Sequence, residues 1–179
     1  MKLVDLKNSN DEVIILAATN APWSIHSAVR RVFEKRIYIP PPDYNSRIEI
    51  LKHHLNRIPH ELDGEDLPYL AEKTEGYCCA DIINVVRDAS FEPLRMAQVT
   101  TTFKMTKITP EGEPVYEPCA ATDPDAKHIN LFYQGPEQLT FPKVSLGNFE
   151  SALNGCKSSI SKEEIQRQVK FMQEYGSED

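Results

Sequence analysis

The hydrophobic positions divide the chain into an N-terminal part with strand-like runs and a longer part with helical spacing. Residues 13–19, VIILAAT, form a continuous apolar run, which is typical of a strand buried on both faces of a parallel sheet. RIYIP at 36–40 predicts a second short strand, and the segment between the two predicts a short helix. Because one helix cannot cover both faces of a parallel sheet, we expect residues 1–40 to be the end of a larger α/β domain whose beginning lies outside this sequence.

A proline run separates this part from the helical patterns. PPPD at 40–43 disfavours helix and marks a boundary. Beyond it, the spacing predicts three helices, one near 48–58, a short one near 65–74 and a longer one over 80–97. Their apolar faces carry Ile48, Leu51, Leu55 and Ile58 in the first helix and Ile82, Val86 and Ala89 in the third. We therefore predict a small helical domain over 41–100.

The pattern changes after residue 100. Residues 101–143 contain six prolines, and the segments TFKMTKI and KHINLFY have the composition of strands that pair antiparallel. We predict a β-rich insertion over these residues.

Helical spacing returns over 144–179. Ser145 is the predicted cap of a helix whose apolar positions are Leu146, Phe149 and Leu153. The capping box SKEE, Ser161 with Glu164, begins a last helix that carries Ile165, Val169 and Met172. The predicted fold class is thus an α/β fragment followed by a small α-helical domain with a β-rich insertion and a C-terminal helix.

Composition narrows the functional classes. The chain has 40% hydrophobic and 26% charged residues, which is typical of a soluble globular protein, and its N-terminus is too short and polar for a secretory signal. A net charge of -7 and a pI near 5.3 argue against broad nucleic-acid binding. The four cysteines, Cys78, Cys79, Cys119 and Cys156, have no CxxC spacing, so we expect reduced thiols rather than a zinc site or a disulfide framework.

One stretch departs from this acidic character. AVRRVFEKRIYIP, residues 28–40, concentrates four cations: Arg30, Arg31, Lys35 and Arg36. Charge alone suggests a solvated helix end.

Three stretches together give a more specific interpretation. ILAATNAPW, SAVRRVFEKRIYIP and TEGYCCADI resemble the second half of an AAA ATPase module of the meiotic clade, which includes katanin, spastin and the vacuolar protein sorting-associated protein 4 family. EPLRMAQVTTTFK, EPCAATDPDAKHI and VKFMQEYG resemble that last family, which carries a β insertion of this kind where katanin and spastin lack one. VRDAS and SISKEEI are closer to katanin.

The resemblance implies a function for the complete protein. Members of the family hydrolyse ATP as a ring, usually a hexamer, and draw ESCRT-III polymers apart at endosomal membranes. It therefore implies ATP and Mg²⁺ as cofactors, and as partners other copies of the chain, ESCRT-III subunits and an activator protein at the β insertion. It implies no nucleic acid, and a cytoplasmic protein that is peripheral at endosomal membranes.

The resemblance also assigns catalytic positions. Asn20 matches sensor 1, which helps to orient the attacking water, and a polar residue at the carboxyl end of a buried parallel strand is where α/β sheets bind ligands. A simple cap of the following turn is the alternative. Arg30 and Arg31 match the arginine-finger region, whose guanidinium groups act on the ATP of a neighbouring subunit. The family has a third arginine where this chain has Val32, so we expect weaker hydrolysis in trans unless Arg31 suffices.

Further positions match contacts to the nucleotide. His54 matches a position near the adenine and ribose, and Gly76, Ala80 and Asp81 lie in the sensor-2 segment. Cys79 replaces a glycine of that segment and adds a Cβ at a helix N-terminus, so we expect altered nucleotide affinity. The vicinal thiols have no histidine in the motif to activate them, which disfavours thiol catalysis.

The histidines also raise the possibility of a metal. His53, His54 and His60 are close in sequence, but adjacent histidines on a helix point about 100° apart and no acidic residue lies at i+4 from His54. We predict no metal site.

The sequence lacks the motifs that bind and cleave ATP. Nothing matches GxxxxGK[ST], and Asp11 and Glu12 precede the apolar run rather than following it as a Walker B motif requires. We expect the chain alone to be inactive and to bind nucleotide weakly. Two possibilities remain, the C-terminal portion of an ATPase or a non-catalytic AAA relic that acts as an oligomerisation or activator-binding module. The predicted domains are 1–40, 41–100, 101–143 and 144–179.

Overall fold

The computed structural model describes residues 14–129 and 138–176. Asp11, Glu12, Val13 and most of KHINLFY lie outside the described residues. The chain forms two compact units, one of residues 41–159 and the other of residues up to 40 together with those from 160 onward. The helices are α1 (Ser27–Arg30), α2 (Tyr44–Leu55), α3 (Asp66–Lys73), α4 (Cys79–Val99), α5 (Leu146–Gly155) and α6 (Lys162–Tyr175), and the strands are β1 (Thr102–Ile108), β2 (Pro114–Pro118) and β3 (Lys127–His128).

The three helices predicted between 48 and 97 are confirmed, with shifted ends. Asp43 caps α2 by accepting a hydrogen bond from the Ser46 N–H at 2.7 Å, so this helix begins before its first apolar residue. Ile58 falls outside α2 and packs on the core from the turn that follows. Helices α2 to α5 enclose that core, and its fully buried side chains include Leu51, Leu70, Ile82, Val85 and Phe149.

A buried arginine fastens the proline boundary to this core. Arg47 on α2 donates from Nε to the carbonyl of Ala71 at 2.9 Å and from Nη1 to the carbonyl of Pro42 at 3.1 Å. The first bond reaches an end of α3, where carbonyls lack intrahelical partners. The guanidinium therefore sets both the start of this unit and the spacing of α2 and α3.

The β-rich part forms a small antiparallel sheet in the order β2-β1-β3. Strand β1 pairs with β2 from Phe103 opposite Pro118 to Ile108 opposite Pro114, with a register shift between Met105 and Lys107. The predicted pairing of TFKMTKI with KHINLFY is present at Lys127–His128, and residues 130–133 lie outside the described part of the chain. Among the described residues, the longer partner of β1 is the PVYEP strand, β2. Gly112, at φ +90°, provides the tight turn that returns the chain after only five residues.

The predicted cap at Ser145 and the predicted capping box at Ser161 are both present in the C-terminal region. The Ser145 N–H donates to Asn148 Oδ1 at 2.8 Å where α5 begins. At the start of α6, the Glu164 N–H donates to Ser161 Oγ at 3.1 Å and the Ser161 N–H donates to Glu164 Oε2 at 2.9 Å. These reciprocal bonds satisfy donors that the first turn of a helix leaves unpaired.

The two predicted N-terminal strands do not form in the described part of the chain. Residues 14–19 and 36–40 have no sheet hydrogen bonds there, and Ile14 and Leu16 are 94% and 92% exposed. A strand needs a neighbour for its backbone N–H and C=O groups, and none is adjacent in the described residues. The apolar run thus encodes burial against a partner rather than a strand that is stable alone.

Within residues 14–129 and 138–176, no helix combines the length and apolar character needed to cross a membrane.

Replacing Phe149 with alanine should destabilise the helical unit by about 3–5 kcal/mol, because its side chain is completely buried in the core. Urea denaturation followed by circular dichroism measures the change. Phe141→Ala is the matched control, since Phe141 is 44% exposed and should cost far less. Equal losses for the two variants would contradict the assigned core.

Candidate functional site

The turn before α4 depends on a glycine. Gly76 has φ +79°, and a Cβ built on it would meet no atom within 4 Å. Glycine is therefore needed here for its backbone conformation rather than for lack of space, because residues with L side chains rarely adopt positive φ. The turn directs residues 77–81 into the first turn of α4.

Cys78 caps α4 through a thiol. The Asp81 N–H donates to Cys78 Sγ at 3.4 Å, and the Cys78 N–H donates to Asp81 Oδ2 at 3.0 Å, which completes a capping box. A serine hydroxyl is the usual acceptor at this position of a helix, and sulfur is a weaker one. The cap holds, but with a poorer acceptor.

Asp81 is buried and bonds to Ser159 as well as to the start of its own helix. Only 7% of the residue is exposed, and Oδ2 also accepts hydrogen bonds from the N–H and the hydroxyl of Ser159, both at 3.1 Å. Burial raises the pKa of this carboxyl, but the hydrogen bonds from Cys78 and Ser159 outweigh burial and leave the pKa below its ordinary value. The ionised carboxylate is thus the form that the fold favours.

Residues 156–159, which we call the strap, are bonded to the same turn at other points. Ser158 Oγ donates to the carbonyl of Gly76 at 2.9 Å, and the Tyr77 hydroxyl donates to the carbonyl of Cys156 at 2.6 Å. Cys156 Sγ donates to Asp88 Oδ2 at 3.3 Å, and burial, followed by the carboxylate of Asp88, raises the pKa of the thiol. No local signal in the sequence pairs these residues with the Gly76 turn.

The predicted nucleotide contacts share this unit. Gly76 and Asp81 lie on the same turn, and Ala80 is exposed in the first turn of α4. His54 is half-buried in the last turn of α2, where its ring meets the His53 ring edge-on at 5.2 Å between centroids. Among the described residues His54 makes no hydrogen bond to the Gly76 turn. In the part of the chain that the structure describes, no group of three or more His, Cys, Asp or Glu side chains is arranged to hold a metal.

The predicted catalytic arginines lie in the other unit, in unlike surroundings. The Arg30 guanidinium lies over the rings of Tyr175 and Phe171 of α6, with its central carbon 4.6 and 5.6 Å from their centroids. We call these two rings the aromatic pair. Arg31 follows α1 directly and is exposed. The aromatic pair was not predicted, because contacts between residues far apart in sequence leave no periodic signal.

Arg36 and Asn20 also contact α6. Arg36 donates from Nη1 to the carbonyl of Tyr175 at 2.7 Å and from Nη2 to the carbonyl of Arg30 at 3.0 Å. Asn20 is exposed, and its backbone carbonyl accepts from Gln168 Nε2 at 2.5 Å. Helix α6 therefore holds both ends of the segment that carries the predicted sensor and finger residues.

Cys78→Ser should stabilise the helical unit by about 0.5–1 kcal/mol, because a hydroxyl oxygen accepts the Asp81 N–H bond better than a thiol does. Chemical denaturation measures the gain. Cys79→Ser provides the control, since Cys79 is exposed and caps nothing. Stabilisation by the control alone would contradict the assigned cap.

Asp81→Asn should remove part of the acid sensitivity of folding. A carboxyl whose folded pKa lies below its ordinary value of 3.8 contributes stability above that value and loses it as the pH falls through the folded pKa. The variant should be less stable than the native chain at about pH 7, and the gap should narrow at about pH 3. Urea midpoints at both pH values give the comparison, and a gap that widens in acid would refute this assignment.

Two family models match the chain. Residues 116–176 match the Vps4 C terminal oligomerisation domain, and residues 64–95 match the AAA+ lid domain. The second range covers the turn before α4 and most of that helix, and the first covers the strap and α6.

Curated relatives match over nearly the whole chain. Vacuolar protein sorting-associated protein 4B of Pongo abelii is 35% identical over 175 residues, which is 94% of this chain and 39% of the relative. Vacuolar protein sorting-associated protein 4 of Dictyostelium discoideum is 34% identical, with 96% of this chain and 40% of the relative covered. A katanin p60 ATPase-containing relative of Otolemur garnettii is 38% identical, with 92% of this chain and 28% of the relative covered. The chain thus spans about two fifths or less of the length of these relatives.

Solved structures of AAA proteins are also similar to this chain. The AAA domain of FIGL-1 superposes with a TM-score of 0.72 over 98% of this chain and 49% of that chain, and its 20% identity supports the fold alone. A chain from the crystal structure of Vps4 and Vta1 has a TM-score of 0.52 and 28% identity, over 64% of this chain and 98% of that chain. Together the matches assign this chain to the Vps4-type AAA family, as a counterpart of its C-terminal region.

Proposed function

We propose that the chain is the C-terminal portion of an AAA ATPase that hydrolyses ATP as a hexameric ring and disassembles ESCRT-III polymers, peripheral at endosomal membranes. The observation that carries this proposal is the contrast at the end of α1, where Arg30 is held by the aromatic pair while Arg31 is exposed. A cation that acts on a neighbouring subunit must project from its own subunit. Arg31 meets this requirement.

In this proposal Arg31 supplies charge in trans. A planar guanidinium can donate two parallel hydrogen bonds to phosphate oxygens, where negative charge develops as ATP is cleaved. Asn20 orients the attacking water in the subunit that binds the ATP. Val32, which occupies the third position of the family's arginine run, offers no charge, so the whole contribution in trans falls to Arg31.

Arg30 then positions the finger rather than acting as one. Its guanidinium lies over Tyr175 and Phe171, and its backbone carbonyl accepts a hydrogen bond from Arg36. Moving Arg30 to a neighbouring phosphate would break the cation–π contacts, which contribute about 0.5–2 kcal/mol each. The helix that directly precedes Arg31 is thereby fixed to α6.

The turn before α4 and the first turn of that helix supply the contacts to nucleotide within one subunit. The exposed first turn of α4 presents the N–H groups of Cys79 and Ala80, which have no acceptor within the helix and favour anionic ligands. Gly76 shapes the approach, and His54 contributes to the base and ribose side. ATP with Mg²⁺ supplies the reacting phosphate in the complete enzyme, and the phosphate-binding loop would come from residues outside this chain.

The proposed partners are further copies of the chain, ESCRT-III subunits and an activator. The match to a domain described as an oligomerisation domain supports the ring. For the activator, the β-rich part offers exposed apolar side chains on β1, Met105 and Ile108. The relative solved in the structure of Vps4 and Vta1 supports a protein partner for this region.

Arg31 can be tested in a chimera in which this chain replaces the matching C-terminal part of a Vps4 relative. Arg31→Ala should lower the rate of ATP hydrolysis by about 10³-fold, the low end of the effect of an arginine finger. Arg30→Ala should lower it less, and Val32→Arg should raise it. Arg57→Ala, an exposed cation after α2, should leave the rate unchanged.

Mixing variants tests whether Arg31 acts in trans. Subunits with Arg31→Ala keep an intact phosphate-binding loop, and subunits with that loop's lysine removed keep Arg31. Their mixture should recover activity that neither has alone. A chimera that assembles into rings without hydrolysing ATP would instead support the non-catalytic alternative, and full activity of Arg31→Ala would exclude Arg31 as the finger.

A further inference from the structure

The strap departs from what a linker between two helices requires. The strap and Ile160 join α5 to the capping box of α6, and a linker of this length can satisfy its polar groups with water. Here Ser158 and Ser159 instead direct their hydroxyls to the turn before α4, at Gly76 and Asp81. Three of the four strap residues bond to residues between 76 and 88.

Asp81 is the centre of these contacts. Its Oδ2 atom accepts from the Cys78 N–H, the Ser159 N–H and the Ser159 hydroxyl, at 3.0, 3.1 and 3.1 Å. Three hydrogen bonds to one buried carboxylate oxygen are charge-assisted and stronger than neutral ones. These bonds commit Oδ2 to contacts within the fold, and the expectation from sequence that Asp81 contacts nucleotide stays a prediction.

We propose that Asp81 and Ser159 form a latch that fastens the strap to the turn before α4, so that Asp81 is a positioning residue for this turn. Cys78 Sγ lies 3.6 Å from Ser159 Oγ, so the cap of α4 and the latch share their members. Releasing Ser159 removes two of the three donors to Asp81 and leaves the turn held by the Cys78 N–H and the bonds of Ser158 and Tyr77. The consequence for nucleotide binding rests on the proposed function.

The latch is sensitive to charge at position 159. Ser159 is exposed, whereas its partner Asp81 is a buried residue. A negatively charged group attached to the Ser159 hydroxyl would be accessible to solvent but would lie within hydrogen-bond distance of the Asp81 carboxylate. Two like charges this close repel and remove the donor as well. A carboxylate at position 159 should therefore open the latch more completely than loss of the hydroxyl alone.

Amide exchange on the intact chain provides the test. Exchange at the N–H groups of Cys78 and Ser159, which both donate to Asp81, should be about tenfold faster in Ser159→Asp, the factor expected when a charge-assisted bond is lost. Ser159→Ala should give a smaller increase in exchange rate. This variant keeps the test decisive if Ser159→Asp unfolds the chain. Ser151→Asp on the exposed side of α5 is the matched control and should leave both amides unchanged.

A double variant separates a latch from a general loss of structure. Asp81→Asn combined with Ser159→Asp reverses the polarity of the pair, because the new amide can donate to the new carboxylate. The exchange rate of the backbone N–H of residue 159 should return to within about threefold of the native rate. If the two substitutions acted independently, their effects on exchange would instead add. Additive effects in the double variant, or native exchange in Ser159→Asp, would overturn the proposal.

A second measurement isolates the positioning of nucleotide. In the chimera, Ser159→Asp should weaken MgADP binding several-fold and the double variant should restore it. Unchanged affinity together with faster exchange would overturn the positioning assignment and retain the latch. A chimera that binds no MgADP with its native strap would count against the proposed function, while the exchange experiment would still decide the latch.

Discussion

The helical unit depends on the ionised carboxylate of Asp81. This group ends the Gly76 turn, begins the longest helix and binds a segment almost eighty residues further along the chain. A buried charge is costly unless it is hydrogen bonded, and here three donors converge on one oxygen atom. Because Ser159 supplies two of these donors, the need to hydrogen-bond the buried charge also fixes the position of the strap.

The other unit is held together by cations rather than by a carboxylate. Arg30 and Arg36 bind one end of α6, through aromatic faces and through backbone carbonyls. Arg167 of α6 lies over the Trp23 ring at 3.9 Å and makes a similar contact at another point. Guanidinium groups are suited to this work because they are weakly hydrated and stack on aromatic rings. Of the two predicted finger residues, Arg30 is therefore held by α6 while Arg31 is exposed.

Each unit thus leaves one element of the proposed site exposed beside the contacts that hold its neighbour in place. In the helical unit, Asp81 is engaged while the first turn of α4 stays exposed. In the other unit, Arg30 is engaged while Arg31 stays exposed. The engaged polar groups, buried Asp81 and half-buried Arg30, provide positional precision because their partners are specific in direction and distance.

The sequence by itself determined the main helices, the caps at Ser145 and Ser161, and the family. Periodic apolar positions predict α2, α4 and α5, and Ser161 with Glu164 predicts the start of α6, because these signals act between residues three or four apart. Sequence could not determine the partner of β1, the guanidinium bonds of Arg47, the aromatic contacts of Arg30 or the strap on Asp81. These depend on which distant segments meet, and that is decided only by packing of the whole unit. The exposed run at 14–19 is the converse case, since its pattern specifies burial and no described residue provides the neighbouring strand.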